Sequence, residues 1–314
     1  MKLRQLRSFV QVAELGSLSK AAKGLFTVQS AISRQIKALE EDLETKLFTR
    51  HGRGLRLTET GKQLLPRATH ILREVEEAKS EIVAGNETVS GEVTIGMPPT
   101  VASVLAGSLA ERLANEYPGI RLRFVDAFSE TLLTWLQQRK IDFAVLYDHK
   151  AQHNLIIYPL LLERLYLVMH PSNKLSKKES ISFHELSSEK LVLPSIGHSL
   201  RRLIERIASK ENIKLHVAVD ADGLTILKEL VMREVGSTIL PLASIHHEVY
   251  AGNICVKPII DPPITRKLFL ALPTDRPSTN ASMKASEIVR IQVKQIVESG
   301  IWTGQLLIPE EPQD

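Results

Sequence analysis

The 314 residues exceed what one hydrophobic core usually organises, so the length predicts two or three folding units. With 43% apolar and 24% charged residues the composition is that of a globular protein. No apolar run reaches the roughly 18 residues of a membrane-spanning helix, and the basic N-terminus lacks the apolar core of a secretory signal. Residues 1–58 hold eleven lysines and arginines against five acids, whereas the rest of the chain is slightly acidic. This asymmetry indicates a polyanion-binding module joined to a near-neutral one, although a solvated basic face would give the same count.

The first 45 residues predict three short helices. Apolar residues at helical spacing over 3–14 predict an amphipathic helix that Gly16 ends, and Ser19 is the expected cap of a second helix. After a tight connection at Phe26 and Thr27, a third helix buries Ala31, Ile32, Ile36, Leu39 and Leu43. Its outward side chains can donate to base edges and phosphates, as a helix in the major groove requires: Gln29, Ser30, Ser33, Arg34 and Lys37.

A small hairpin follows the third helix. Two apolar pieces flank a Gly-Arg-Gly tip at 52–54, and the glycines allow positive φ there. Arg53 can reach a narrow minor groove, and Arg50 and Arg56 would neutralise phosphates. Residues 1–58 are therefore predicted to form a winged helix-turn-helix that binds double-stranded DNA.

A long helix is predicted over 59–90, with Thr58 as its N-cap and Pro66 as the site of a kink or loosened first turns. Its apolar residues alternate at spacings of four and three: Leu64, Ala68, Ile71, Val75, Ala78 and Ile82. A helix packed on its own domain would show a similar stripe. The 3.5-residue period beside a DNA-binding domain favours pairing of two copies, so we predict a linker helix that forms a homodimer.

Residues 91–314 alternate strands and helices. Strands at 92–97, 120–126 and 141–147 with helices at 101–116 and 129–139 predict a mostly parallel sheet. A second block predicts strands at 164–170, 190–193, 215–219 and 237–240 and helices near 199–210 and 223–234, before a strand at 266–272 and a helix at 282–298. The single cysteine, Cys255, cannot form an internal disulfide, fits a cytoplasmic protein, and is expected to be a small buried hydrophobe.

Polar residues follow several of these strands. Ligands bind beyond the carboxyl ends of parallel strands, where helix N-termini present N–H groups. The candidates for such a site are Thr100, Val101, Ser129, Thr131, Ser195 and His198, which suit a small polar or anionic molecule. Helix capping explains any single one of them equally well, and Asp222 is expected to be a cap.

Four ordered segments resemble the signature of LysR-type transcriptional regulators: residues 17–22 (SLSKAA), 29–36 (QSAISRQI), 47–50 (LFTR) and 58–61 (TETG). The resemblance covers about the first 90 residues. The family usually has Ser before the Gln that opens the recognition helix and Pro after it, where this chain has Val28 and Ser30. The family Ser caps the helix and touches phosphate; Val28 cannot, so either Thr27 caps one residue earlier or the helix has no cap.

The resemblance implies an α/β chain with a winged helix-turn-helix, a long linker helix and a two-lobed type II periplasmic-binding-protein-like effector domain. Lobe one would comprise 91–162 and 267–305, and lobe two 163–266, with a small-molecule effector between them. It also implies a homotetramer of paired dimers on promoter DNA and contact with RNA polymerase. A domain that serves only as an assembly scaffold, without an effector, is the rival interpretation, since Pro98 and Pro99 replace the usual small polar residues of the first cleft loop and would narrow the pocket.

Signals of enzymatic activity are weak. Residues 197–201 lack the closing glycine of a G-x-S-x-G nucleophile turn, and neither a G-x-x-x-x-G-K-[ST] loop nor a cysteine cluster occurs. We therefore expect a transcriptional regulator without catalytic activity, metal or cofactor.

Overall fold

A computed structural model describes residues 1–51, 54–84, 89–147, 154–275 and 278–308. The chain divides into two compact units. The first contains residues 1–91 and the short segment 137–140, and the second contains 92–136 and 141–314. Within the described ranges, no helix is long and apolar enough to cross a membrane.

The first unit is a three-helix core with a hairpin and a long helix. Its elements are α1 (Leu3–Leu15), α2 (Leu18–Gly24), α3 (Gln29–Asp42), β1 (Phe48–His51), β2 (Gly54–Leu57) and α4 (Glu59–Ala84). Phe9 lies at the centre of the core, and its ring centroid is 5.4 Å from that of Phe48. β1 and β2 pair antiparallel, which confirms the predicted wing.

The helix ends explain where the local predictions succeed and fail. Gly16 ends α1 in the left-handed conformation at φ 62°, as predicted, and Thr58 Oγ1 accepts a hydrogen bond from Gly61 N–H at 3.0 Å, as expected of a cap. The cap of α2 is Ser17, so the prediction of Ser19 is wrong; Ser19 lies inside the helix. Leu43 was also wrongly predicted to face the core, because α3 ends at Asp42 and Leu43 is 37% exposed.

Helix α4 packs its first half on its own unit. It is continuous from Glu59 to Ala84 through Pro66, where the sequence predicts a kink or loosened turns. Ala68 is completely buried in the core of the unit, and Leu64 and Ile71 pack against that core. The first half of the apolar stripe therefore packs against the helix's own unit, which is the alternative that the sequence left open. The side chains of Ala78 and Ile82 lie outside the described residues.

The second unit is an α/β domain of two lobes. Its strands are β3 (Gly91–Met97), β4 (Ile120–Asp126), β5 (Phe143–Tyr147), β6 (Leu155–Met169), β7 (Ile181–Ser182), β8 (Lys190–Leu193), β9 (His216–Asp220), β10 (Thr238–Pro241), β11 (Cys255–Ile260), β12 (Thr265–Pro273) and β13 (Gly304–Leu306). Its helices are α5 (Pro99–Glu116), α6 (Ser129–Gln137), α7 (Ser199–Lys210), α8 (Leu224–Met232), α9 (His246–Tyr250) and α10 (Asn280–Glu298). Short 3-10 turns cover Lys174–Lys177, Phe183–Ser188 and Leu242–Ser244.

Strand β6 passes from one lobe to the other. Its first part pairs with β12 in the lobe-one order β4-β3-β5-β12-β6, and its last part pairs with β10 and β11. The parallel pair β8 and β9 joins the lobe-two side through a bridge between Leu191 and Ser237. The second crossing runs through residues 264–265, where Leu165 N–H donates to Ile264 O at 3.0 Å. The sequence predicted only 164–170 of β6, and it missed β11 and β13.

Gly61 in the first unit and Gly107 in the second differ in the space around them. A Cβ on Gly61 would overlap the Leu47 carbonyl oxygen and lie 2.9 Å from Leu57 Cδ2, whereas a Cβ on Gly107 in α5 would meet nothing within 4 Å. Relative to glycine, alanine stabilises an exposed position in a helix by about 1 kcal/mol, whereas a steric overlap in a packed core destabilises the fold by about 1–3 kcal/mol. We therefore expect Gly61→Ala to destabilise the first unit and Gly107→Ala to stabilise the second.

Thermal melting separates the two effects, because both tryptophans, Trp135 and Trp302, belong to the second unit. Tryptophan fluorescence should follow that unit alone, while far-ultraviolet circular dichroism follows both. A Gly61→Ala variant that melts at or above the wild-type temperature by circular dichroism would contradict the close approach of α4 to the wing.

Candidate functional site

The outward face of α3 is open to solvent. Its polar side chains are all exposed: Gln29, Ser30, Ser33, Arg34 and Lys37. The opposite face buries Ile32, Ile36 and Leu39. This division gives α3 the polar, accessible surface that a helix needs to enter a major groove.

The start of α3 carries features that the sequence signature does not describe. The N-cap position is Val28 and not Thr27, and the side chain of Val28 makes no capping hydrogen bond. Ser19 Oγ donates to Gln29 Oε1 at 2.8 Å, which fixes the direction of that side chain. Phe26 is 98% exposed at φ 50°, and Val28 is 63% exposed. Two exposed apolar side chains thus precede Gln29, the residue predicted to contact bases.

The wing contributes one described basic side chain. Arg56 on β2 is exposed, and its carbonyl accepts from Thr49 Oγ1 at 3.4 Å. The backbone of Arg50 pairs with Leu55, but its side chain lies outside the described residues, as does the whole of Arg53.

A cleft lies between the two lobes of the second unit, and three of the predicted ligand residues line it. Thr100 at the start of α5, Ser129 at the start of α6 and His198 before α7 surround a cavity of about 40 Å³. Ser129 Oγ also accepts a hydrogen bond from Tyr147 N–H at 3.0 Å, so it fixes the end of β5.

The other three predicted ligand residues do not line this cavity. Val101 is completely buried on the inner face of α5, and its N–H donates to Pro98 O at 2.9 Å. Thr131 is exposed on α6. Ser195 donates from N–H and Oγ to Asp222 Oδ1 at 2.9 and 2.8 Å. Asp222, expected as a helix cap, instead binds this loop while Gly223 caps α8, and the hydrogen bonds lower its pKa.

Two contacts join the lobes across the cleft. The rings of Phe128 and His198 meet edge to face with centroids 4.4 Å apart, and Arg202 on α7 forms an ion pair with Glu130 on α6. His198 Nδ1 accepts from Leu200 N–H at 3.0 Å and so caps α7. Burial, helped by the positive charge of Arg266, lowers the pKa of His198 to about 4. His198 is therefore neutral at pH 7.

A buried polar cluster lies where the strands cross from lobe to lobe, and the sequence analysis missed it. Glu163 on β6 has no exposed surface, and its register partner on β12 is Arg266. Arg266 Nε donates to Glu163 Oε2 at 2.6 Å, Trp302 Nε1 donates to Glu163 Oε1 at 2.7 Å, and Tyr147 OH donates to Glu163 Oε1 at 3.2 Å. Both carboxylate oxygens are thereby satisfied.

Arg266 connects this cluster to the cavity. Its guanidinium carbon lies 3.4 Å from the centroid of the Tyr147 ring, and Nη2 donates to Thr100 Oγ1 at 3.3 Å. Thr100 Oγ1 is also 3.2 Å from Tyr147 OH. Burial raises the pKa of Tyr147 well above its ordinary value, so its hydroxyl remains a neutral hydrogen-bonding group.

The cleft combines polar side chains with apolar walls, as sites for small molecules do. Its remaining walls include Leu200, Leu227 and Leu240, and the described part of the chain contains no group of three or more side chains that could hold a metal ion. The signal in the sequence that could have indicated the cluster was Glu163 within the mostly apolar segment 159–169, with Arg266 at the start of another predicted strand 103 residues later.

Comparisons with known proteins agree with this arrangement. Residues 3–62 match the family described as "Bacterial regulatory helix-turn-helix protein, lysR family", and residues 86–290 match "LysR substrate binding domain". The HTH-type transcriptional regulator BbuR of Bordetella bronchiseptica is 31% identical over 95% of this chain and 92% of its own. The nitrogen assimilation regulatory protein nac of Klebsiella aerogenes is 29% identical over 86% and 88% of the two chains.

Solved structures show the same fold. A full-length OxyR variant from Pseudomonas aeruginosa has a TM-score of 0.72 at 23% identity, covering 94% of this chain and 98% of its own. Full-length CbnR, solved in complex with its target DNA, has a TM-score of 0.69 at 22% identity, covering 93% and 100%. The two-lobed architecture implied by the signature is therefore confirmed, and the named relatives are transcriptional regulators rather than enzymes.

The lowered pKa of His198 makes the second unit sensitive to acid. Between pH 6.5 and 4 the imidazole takes up a proton in the unfolded chain but stays neutral in the folded unit. The free energy of unfolding therefore decreases as the pH falls from 6.5 towards 4, and the full contribution of His198 to stability is present above pH 6.5. In His198→Asn the amide oxygen can still cap α7, but nothing titrates. On going from about pH 7.5 to about pH 5, we expect the melting temperature by tryptophan fluorescence to fall less in the variant, by about 3 °C or more. Equal falls in the two proteins would contradict the burial of a neutral imidazole.

Proposed function

The chain belongs to the LysR family of transcriptional regulators, and we propose that it binds promoter DNA as a homodimer, paired further into a tetramer, under the control of a small molecule held between the lobes of the second unit. The observation that carries the proposal is the exposed polar face of α3 on a helix-turn-helix core, with Gln29 oriented by Ser19. A regulator of this kind acts in the cytoplasm, where it meets promoter DNA and RNA polymerase.

We assign separate roles to the residues of the DNA-facing surface. Gln29 and Ser30, at the start of α3, contact base edges, because the first residues of a recognition helix reach deepest into the major groove. Ser33, Arg34 and Lys37 contact bases and phosphates along the groove. Arg50 and Arg56 neutralise phosphates beside the wing, and Arg53 enters the minor groove.

We propose that the second half of α4 pairs two copies. Ala68 is already buried in its own unit, so it offers no surface to a partner, and Leu64 and Ile71 are partly used in the same way. Val75 is half-buried and does not belong to that core, and the apolar spacing continues to Ala78 and Ile82. A pair formed there holds two recognition helices for two half-sites of a pseudo-palindrome.

Control by a small molecule requires that it bind one arrangement of the lobes more tightly than another. Thr100, Ser129 and His198 belong to different elements on the two sides of the cleft, so a molecule that contacts all three stabilises one relative position of the lobes. Val101, Thr131 and Ser195 support this site only indirectly, through helix packing and loop geometry.

The DNA-binding role is tested by two substitutions on α3. Gln29→Ala should weaken binding to the specific promoter site by about 1–3 kcal/mol and leave binding to random DNA nearly unchanged, because a base contact is lost. Arg34→Ala should weaken both and reduce the salt dependence, because a phosphate contact is lost. The measurement is fluorescence anisotropy with the promoter region beside the protein's own gene, over a salt series and with random competitor DNA. Equal losses on both DNAs for Gln29→Ala would exclude its role in sequence recognition.

The assembly is tested on α4. Val75→Asp should place a carboxylate in the helix pair and lower the mass measured by sedimentation, because a buried charge without a partner is costly. Thr69→Asp, at an exposed position of the same helix, is the matched control and should leave the mass unchanged. If Val75→Asp sediments like the wild type, the copies pair elsewhere.

A further inference from the structure

We propose that the cleft of the second unit selects a small uncharged molecule, one with an apolar body and a hydrogen-bonding group such as a carboxamide or hydroxyl, and that it discriminates against carboxylates. This inference rests on the proposed function, in which the cleft is the effector site. It narrows the expectation of a polar or anionic ligand to the neutral class.

The charges at the cleft do not favour an anion. Among the described residues that line the cavity, Arg266 is the only arginine or lysine, and the buried carboxylate of Glu163 already pairs with it at 2.6 Å. His198 is neutral at pH 7 because its pKa is lowered to about 4. Asp222 also lines the cavity, and its hydrogen bonds with Ser195 lower its pKa and keep it ionised. A carboxylate ligand would therefore meet Arg266, whose charge Glu163 already neutralises, and the negative charge of Asp222.

The first turns of α5 and α7 offer fewer N–H donors to the cleft than an ordinary helix start. α5 begins at Pro99, which has no N–H, after the N-cap Pro98, and the N–H groups of Val101 and Ala102 both donate to Pro98 O at 2.9 Å. At α7, the Leu200 N–H is taken by His198 Nδ1. Anion sites at helix N-termini depend on several such donors pointing at the ligand, and the first turns of α5 and α7 each lack at least one of them.

What the cleft does present matches a neutral ligand. The hydroxyl protons of Tyr147 and Thr100 are used within the cluster, so their oxygens are neutral acceptors for a ligand N–H or O–H, and Phe128, Leu227 and Leu240 supply apolar walls. Pockets of this kind bind through apolar contact and use a few placed polar groups for orientation. The cavity of about 40 Å³ takes a small group, so the polar end of the ligand enters here and a larger body extends out of the cavity.

The test uses isosteric pairs that differ in charge: acetamide and acetate, propionamide and propionate, and benzamide and benzoate. Each is titrated at pH 7 into the full-length protein carrying Trp135→Phe, so that the fluorescence comes from Trp302, whose Nε1 touches Glu163. We expect at least one amide to bind about tenfold or more tightly than its acid, the effect of one charge at moderate effective dielectric. Acids that bind as tightly as the amides, or no binding by any amide, would overturn the proposal.

Variants separate charge from shape. In Glu163→Gln the guanidinium of Arg266 loses its counter-charge, and acid binding should strengthen about tenfold relative to amide binding. Because this core variant can fail to fold, Asp222→Asn provides a second test at an exposed position, and it should also strengthen acid binding. Glu229→Gln on the exposed side of α8 removes the same charge away from the cavity and is the control. Acid binding that is unchanged in both cleft variants would contradict the proposal.

Binding of the same protein to its promoter, measured by fluorescence anisotropy in the absence of amides and acids, tests the regulator function separately from the preference for a neutral ligand. A clear amide preference without DNA binding would support the ligand chemistry and reject the regulator. Specific DNA binding with a preference for acids would keep the regulator and reject the neutral ligand.

Discussion

The buried ion pair of Glu163 and Arg266 is the constraint on which the architecture of the second unit depends. A carboxylate with no exposed surface loses its hydration, and the loss is offset only when its oxygens are well paired. Arg266, Trp302 and Tyr147 supply that pairing from β12, from the segment after α10 and from β5. Because Glu163 lies on the strand that continues into the second lobe, these elements are fixed around the crossing point.

The segment after α10 is consequently part of the crossing. Trp302 is 1% exposed, β13 pairs with β6 through residues 304–306, and Arg164 N–H donates to Thr303 O at 3.3 Å. Leu307 N–H then donates to Leu160 O at 2.9 Å. A ligand that shifts the lobes must act on strand β6 or on the contacts of its neighbours, so the environment of Trp302 is coupled to the cleft through Glu163.

The sequence predicted the fold where patterns are local. Strand β4, helix α7 and the wing follow from alternation, helical spacing and glycines, and the signature at 29–36 identifies the recognition helix. The first part of β6 was missed because residues 155–162 form an apolar run without alternation that contains Pro159, which argues against a strand. The pairing of Glu163 with Arg266 joins residues far apart in the chain, so local patterns did not reveal it. Helix-end chemistry likewise suggested Val101 and Ser195 for the cleft, but tertiary packing and Asp222 occupy them.

The charge asymmetry visible in the sequence corresponds to two uses of charge in the structure. In the second unit, three buried or half-buried basic groups are paired within the fold: Arg266 with Glu163, Arg201 with Asp220 and Lys228 with Glu248, each within 3 Å. In the first unit, Arg34 is exposed on the face of α3 that carries Gln29, and Arg56 is exposed on the wing. Exposed cations in water contribute little to folding, so their value lies in a partner that brings its own negative charge, as the phosphates of DNA do. The same reasoning applied to the cleft, where the cation is already paired, leads to a ligand without charge.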